Sequence, residues 1–179
     1  MKINKYILKI KKLGACEEAV KAAHEYKTSQ ELWDDCERGD WMLWLIGKLS
    51  GEAGSEKRKP LVLTACKCAR LALKYIPKDE LRPLKAIEIA EKWAKGEASL
   101  QEAKDAFYTA DAAAFYAADA AAAAAFYAAN AAFYAAAAAA DAAFYAAAAA
   151  SYADIVREKT LAKCAEIVRK DYPNVDKLW

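Results

Sequence analysis

FYAADAAAAAAFYAANAAFYAAAAAADAAFYAAAAASY, residues 115–152, contains no Lys, Arg, Glu, Gly or Pro, and its phase decides how the second half of the chain is built. At about 100° of rotation per residue, Phe126, Phe133 and Phe144 fall within about 20° of Phe115, and Tyr108 joins the same stripe. Tyr116, Tyr127, Tyr134, Tyr145 and Tyr152 form a second stripe about 100° round the helix, with Asp119, Asn130 and Asp141 between the two. Spacings of seven and eleven bracket the helical period of about 3.6, so both stripes stay in register along a nearly straight helix. A hairpin has no reason to keep that phase across its turn. Alanine adds high helix propensity, and no Gly or Pro interrupts the chain from Leu100 to Pro173. The reading is a very long Ala-rich carboxy-terminal helix, on the order of 100 Å if unbroken. Burying one Phe is worth about 1.5–3 kcal/mol, so the Phe stripe calls for cover. Phe115, Phe126, Phe133, Phe144, Tyr116, Tyr127, Tyr134 and Tyr145 are therefore candidates for an oligomer or partner interface, with a homo-oligomer through the long helix as the expectation.

Working outward, apolar spacing stays helical and no strand-like alternation bounded by turns appears. Ile3, Tyr6, Ile7, Ile10 and Leu13 make one face of a first helix, which Gly14 ends; Ala15 to Tyr26 reads as a second. Thr28 with Glu31 forms a capping box that opens a third, expected to close at Gly39. Asp40 is the expected N-cap of the helix WMLWLIGKLS, followed by Gly51. GEAGSEKRKP is a polar loop whose Pro60 suits a first helical turn; Pro77 is expected to end that helix, Pro83 to open the next and Gly96 to stop it. A second capping box, Ser99 with Glu102, begins the long segment. The fold class is all-α, with an N-terminal bundle of short helices over 1–98, the long Ala-rich helix over 99–172 and a tail over 173–179. Ile7, Leu32, Trp41, Leu45, Leu63, Leu71, Ile87 and Ile89 are the expected core, with the last helix seated at Ile155, Leu161 and Ile167.

The chain has 179 residues, with 27 Lys and Arg against 25 Asp and Glu, so no large field of one sign favours a nucleic acid polymer or an anionic membrane. Each central Asp of the alanine segment would cost about 2.5–3.5 kcal/mol in a bilayer, which argues against a membrane span. The five Cys read as reduced thiols in apolar helical patterns, and lysines interrupt every apolar run at the amino end; both point to a cytoplasmic protein.

No catalytic arrangement assembles around His24, the one histidine. Cys66 and Cys68, two apart on a helix, point about 160° from each other and cannot clasp one metal. Glu88 and Glu91 share a face, and Asp34 and Asp35 adjoin Glu37, but with Lys85 and Lys92 nearby the favoured reading is a solvated face, and without a pocket or metal partner they make no glycosidase or hydrolase signature. No phosphate loop is present. The expectation is no enzyme, no metal and no cofactor. The densest cluster is ERGDWMLWL: Trp41 and Trp44 share a helix face with Arg38 and Asp40 at its start, and Trp33, Trp93 and Arg70 join them if the short helices bundle. Aromatic faces beside Arg suit a base or a partner's side chain, while the alternative is that the tryptophans anchor the core.

CERGDWMLWLIGKL, ACKCARLAL, RPLKAIEIAEKWAKGEAS and the closing REKTLAKCAEIVRKDYP resemble the putative immunity proteins of bacterial and phage polymorphic toxin systems, over roughly residues 30–172. The resemblance rests on Gly39-Asp40-Trp41 with Trp44, Cys68-Ala69-Arg70, and Arg82-Pro83 leading to Glu88, Glu91, Trp93 and Gly96-Glu97. It implies a small non-enzymatic cytoplasmic antagonist that neutralises a partner by sequestering it. The candidate binding residues are Arg38, Asp40, Trp41, Trp44, Arg70, Arg82, Glu88, Glu91 and Trp93. The partner is a toxin protein or, in the alternative, a small nucleotide-type immune signal held in a Trp, Arg and Glu lined pocket by a phage anti-defence sponge.

Overall fold

The computed structural model describes residues 1–52, 54–71, 73–75, 79, 81–106 and 154–179. Among them every regular element is helical, and the nearest approach to a strand is an isolated bridge between Lys2 and Thr28. Helix α1 (Ile3–Lys12) buries Tyr6, Ile7 and Ile10 on one stripe and carries Lys9, Lys11 and Lys12 in its last turn, where cations suit the negative end of the helix dipole. Gly14 then takes a φ of +86°, as the sequence requires of a stop at that point. Helix α2 (Glu17–Ala23) is shorter at both ends than the expected span. Helix α3 (Ser29–Asp35) opens on the capping box: the Glu31 amide donates to the Thr28 hydroxyl at 3.1 Å, and the Thr28 amide donates to the Glu31 carboxylate at 3.2 Å.

Two boundaries differ from the sequence reading. Helix α3 ends at Asp35, and Cys36 is already extended, so Gly39 does not close α3; it is the first residue of α4 (Gly39–Leu49). Asp40 accordingly lies inside the first turn, and its carboxylate binds Arg38 instead of capping the amides. Met42, Leu43, Leu45 and Ile46 are all buried, so α4 is apolar over most of its circumference, as a central helix must be. Its end is capped from outside. The buried Arg58 guanidinium, in a 3-10 turn (Glu56–Arg58), donates to the carbonyls of Gly47 at 2.9 Å and Gly51 at 3.0 Å, supplying donors to groups the helix leaves unpaired.

Helix α5 (Lys59–Arg70) and helix α6 (Arg82–Lys95) each have Pro in the first turn and pack side by side. Helix α5 stops at Arg70, well short of Pro77, which lies outside the described residues; Gly96 ends α6 at a φ of +81°. Residues 100–106 form α7 behind the second capping box, in which the Ser99 amide donates to Glu102 at 2.6 Å. The reading of one long helix with Phe and Tyr stripes falls on residues outside those described. The described carboxy-terminal helix is α8 (Asp154–Asp171).

Helix α8 lies across α4 and α5, burying Leu161, Cys164, Ala165 and Val168. Ile167 packs at the margin of the core, and the Ile155 side chain lies outside the described residues. The crossing with α4 is very close: a Cβ on Gly39 would stand 2.5 Å from the Cys164 Cβ and 2.6 Å from the Ala165 amide nitrogen. Lys67 and Thr64 of α5 hold Asp171 at the far end of α8, each through a bond of 2.6 Å.

The last residues staple the amino-terminal helices. A 3-10 turn (Val175–Leu178) buries Val175, and Trp179 meets Tyr6 edge to face at 6.1 Å with Lys9 over its ring. Asp176 binds the amino-terminal ammonium and accepts from the Ser29 hydroxyl at 2.6 Å. Of the expected core, Ile7, Leu45 and Ile87 are buried, and Leu32, Leu63, Leu71 and Ile89 are partly buried against them. Trp41 is not a core residue: it is half-buried, with Arg38 over its ring, and lines a cavity. No helix among the described residues is long and apolar enough to cross a membrane.

Substituting Gly39 by Ala forces α8 off α4 and is expected to cost about 1–3 kcal/mol in urea denaturation, whereas Ala at Gly14 meets open space and incurs only its backbone strain. Equal costs at the two sites would contradict the close crossing.

Acid sensitivity follows from the two carboxylates that bind distant segments. Burial alone would raise the Asp171 carboxyl, but the Lys67 ammonium and the Thr64 hydroxyl outweigh it and hold it below its ordinary value. The amino-terminal ammonium, then Ser29, do the same for Asp176. A carboxyl depressed in the folded chain contributes its full stabilisation above the unfolded value of about 4, and loses it as pH falls through the folded value. Stability measured between pH 6 and pH 2, in steps, should therefore drop mainly below about pH 4, and less steeply in Asp171→Asn.

Candidate functional site

Helices α1 to α4 line a half-open cavity of about 240 Å³. Its geometry begins with the Gly14 turn, which sends α2 back along α1 with a run of small side chains. Gly14, Ala15, Cys16 and Ala19 leave space that larger residues would fill, and opposite them stand Trp33 of α3 and Trp41 and Trp44 of α4. Tyr6 and Ile10 on the inner stripe of α1, with Leu32, Cys36, Met42 and Leu45, complete an apolar wall.

Each tryptophan is held differently. Trp33 is 2 % exposed, and its indole N–H donates to the Tyr172 carbonyl at 2.8 Å, so the carboxy-terminal end of the chain fixes that wall. Trp41 carries the Arg38 guanidinium 4.2 Å above its ring, a cation–π contact. Trp44 has the Lys48 ammonium 5.9 Å from its ring centre. Arg38 is itself bound by Asp40, with Nε to Oδ1 at 2.9 Å and a terminal nitrogen to Oδ2 at 2.6 Å. This two-pronged pair raises the Arg38 pKa and saturates the carboxylate in the cavity wall. The Cys36 thiol, pushed up by burial, stays protonated and donates to the Arg38 carbonyl at 3.7 Å. The one carboxylate in the wall, Asp40, is thus already paired.

The nine expected binding residues separate into groups. Arg38, Asp40, Trp41 and Trp44 come together at this cavity. Arg70 and Glu91 form a second two-pronged pair, both bonds 2.8 Å, that clips α5 to α6; the Arg70 partner holds the Glu91 carboxyl below its ordinary value. Arg82 and Glu88 are exposed on α6, and Trp93 is buried in the core at 5 % exposure. Arg70, Glu88 and Glu91 do not line the cavity, so the single Trp, Arg and Glu pocket is not what these helices build. Phe115, Phe126, Phe133, Phe144, Tyr116, Tyr127, Tyr134 and Tyr145 lie outside the described residues.

Sequence reading missed the walls from α1 and α2. The one signal was GACEEA, in which Gly14, Ala15, Cys16 and Ala19 are small and follow directly on a helix stop. His24, set aside on sequence, is exposed at the end of α2.

The chain matches no curated protein and no solved structure. Comparison with protein families gives a match over residues 52–175 to the family described as Imm-5 like putative immunity protein. That span begins just before the Arg58 turn, contains Arg70, Arg82, Glu88, Glu91 and Trp93, and runs through α5 and α6 to the buried Val175; the whole lining of the cavity precedes it. With well over half of its length inside the match, from the α5–α6 pair to the carboxy-terminal staple, the chain belongs to the Imm-5-like putative immunity protein family.

Proposed function

We propose that this chain is a non-enzymatic cytoplasmic antagonist that neutralises a toxin protein by binding and occupying it. Family membership over residues 52–175 is the observation that carries this reading. Within the matched span, Arg82 and Glu88 are exposed on α6, and Arg70 of α5 pairs with Glu91 of α6; these charged residues are the proposed contact groups. A rigid, already paired Arg–Glu fork loses little side-chain freedom on docking, which favours specific contact. The Phe and Tyr stripes of the alanine segment remain the proposed second interface, to a further copy or to the toxin.

A nucleotide-type ligand finds less support. Phosphate recognition needs cations with free donors, while Arg38 and Arg70 each spend two nitrogens on a carboxylate and no Lys or Arg lines the cavity.

Co-expression with its cognate toxin should restore host growth, and the two proteins should co-elute at a fixed stoichiometry. The double reversal Arg82→Glu, Glu88→Arg should weaken that complex by about tenfold or more, equal to about 1.4 kcal/mol, with the fold unchanged by circular dichroism. Protection without any complex would overturn sequestration.

A further inference from the structure

We infer that the cavity between α1 and α4 is a binding site for a small, uncharged, planar aromatic molecule. The site lies wholly before the family-matched span and is separate from those charged residues of α5 and α6, so it does not depend on toxin antagonism.

Size comes first. A space of about 240 Å³ exceeds the apolar cavities of roughly 150 Å³ that take up a single benzene ring; it suits one ring or two fused rings. Its walls come next. Trp33, Trp41 and Trp44 offer aromatic surface, and Arg38 stacks on Trp41. Ring-on-ring and edge-to-face contacts with these indoles would fix a flat ligand's orientation.

Charge then narrows the class. Asp40 is the one ionised group in the lining, it is 6 % exposed, and both its oxygens are occupied by Arg38. An anionic ligand would meet this carboxylate with no cation in the lining to pair with, and a cationic ligand would find both carboxylate oxygens already accepting from Arg38, whose positive charge opposes a second cation. Either leaves a charge without a partner in a largely apolar space, which is costly. The neutral Cys36 thiol and the small faces of Ala15 and Ala19 are compatible with an apolar ring and offer nothing to an ion.

The test uses the full chain and two probes matched in shape, indole and indole-3-carboxylate, titrated by calorimetry with ligand-observed NMR as a second readout. Indole should bind one to one and raise the thermal midpoint, and the carboxylate should bind at least about tenfold more weakly. Ala19→Leu, which fills the space, should weaken indole binding by about tenfold or more while melting no lower than the parent; Ala15→Leu serves the same purpose if the first variant does not fold. No saturable indole binding, equal binding of the anion, or unchanged binding in a folded filled variant would each overturn the assignment. A filled variant that loses toxin protection, in a chain that takes up no free indole, would make the cavity a socket for a partner's side chain and overturn the small-molecule assignment while leaving antagonism intact.

Discussion

The approach of α8 to α4 at Gly39 is the constraint on which the rest of the structure depends. Backbone and Cβ of Cys164 and Ala165 occupy the volume where any side chain at position 39 would sit. Once that contact is set, Leu43 and Ile46 are buried in the core to which α4, α5 and α8 contribute, and the Cys68 thiol of α5 donates to the Cys164 carbonyl. At the point of closest approach Gly39, Cys164 and Ala165 are all small, so the contact there is tight backbone-to-backbone van der Waals packing. Such an interface tolerates little, because nothing in it can rotate out of the way.

Position then passes from the core to the cavity through hydrogen bonds. Arg169 of α8 donates to the carbonyls of Cys36 and Trp33, and the Tyr172 carbonyl accepts from the Trp33 indole. The backbone between α3 and α4, which carries Arg38 and delivers Asp40 and Trp41 to the wall, is therefore anchored by residues more than a hundred positions later. The amino-terminal side is anchored likewise, through Asp176, Ser29 and Trp179 on Tyr6. The walls of the cavity come from the first half of the chain and their placement from the last twenty residues.

What the sequence disclosed was whatever a few neighbouring residues decide. Both capping boxes, at Thr28 with Glu31 and Ser99 with Glu102, are read from four letters each because the bonds close within one turn. Gly14, Gly51 and Gly96 were legible as stops since each adopts a positive φ that other residues resist. Gly39 looked the same on paper and is used for another purpose: its missing Cβ admits a helix over a hundred residues away. Asp40 read as a cap because its type fits one, but Arg38 lies two residues off and competes for both oxygens. Among the tryptophans, spacing placed Trp41 and Trp44 together correctly, yet could not show that Trp33 and Trp93 are the buried ones. The cavity was invisible because it is defined by what Ala15, Cys16 and Ala19 lack.

Arg58 carries a final consequence. It is 8 % exposed, no carboxylate among the described residues pairs with it, and burial lowers its pKa; its positive charge faces the carbonyl end of α4. This residue lies inside the family-matched span, and the helix it caps lies outside it. Recombination that exchanged the first fifty residues for an unrelated segment would strand a buried cation, besides uncovering α8 at Gly39. The two halves are thus separable as text but physically interdependent: a new amino-terminal half has to bring both a helix end for Arg58 and a glycine for α8.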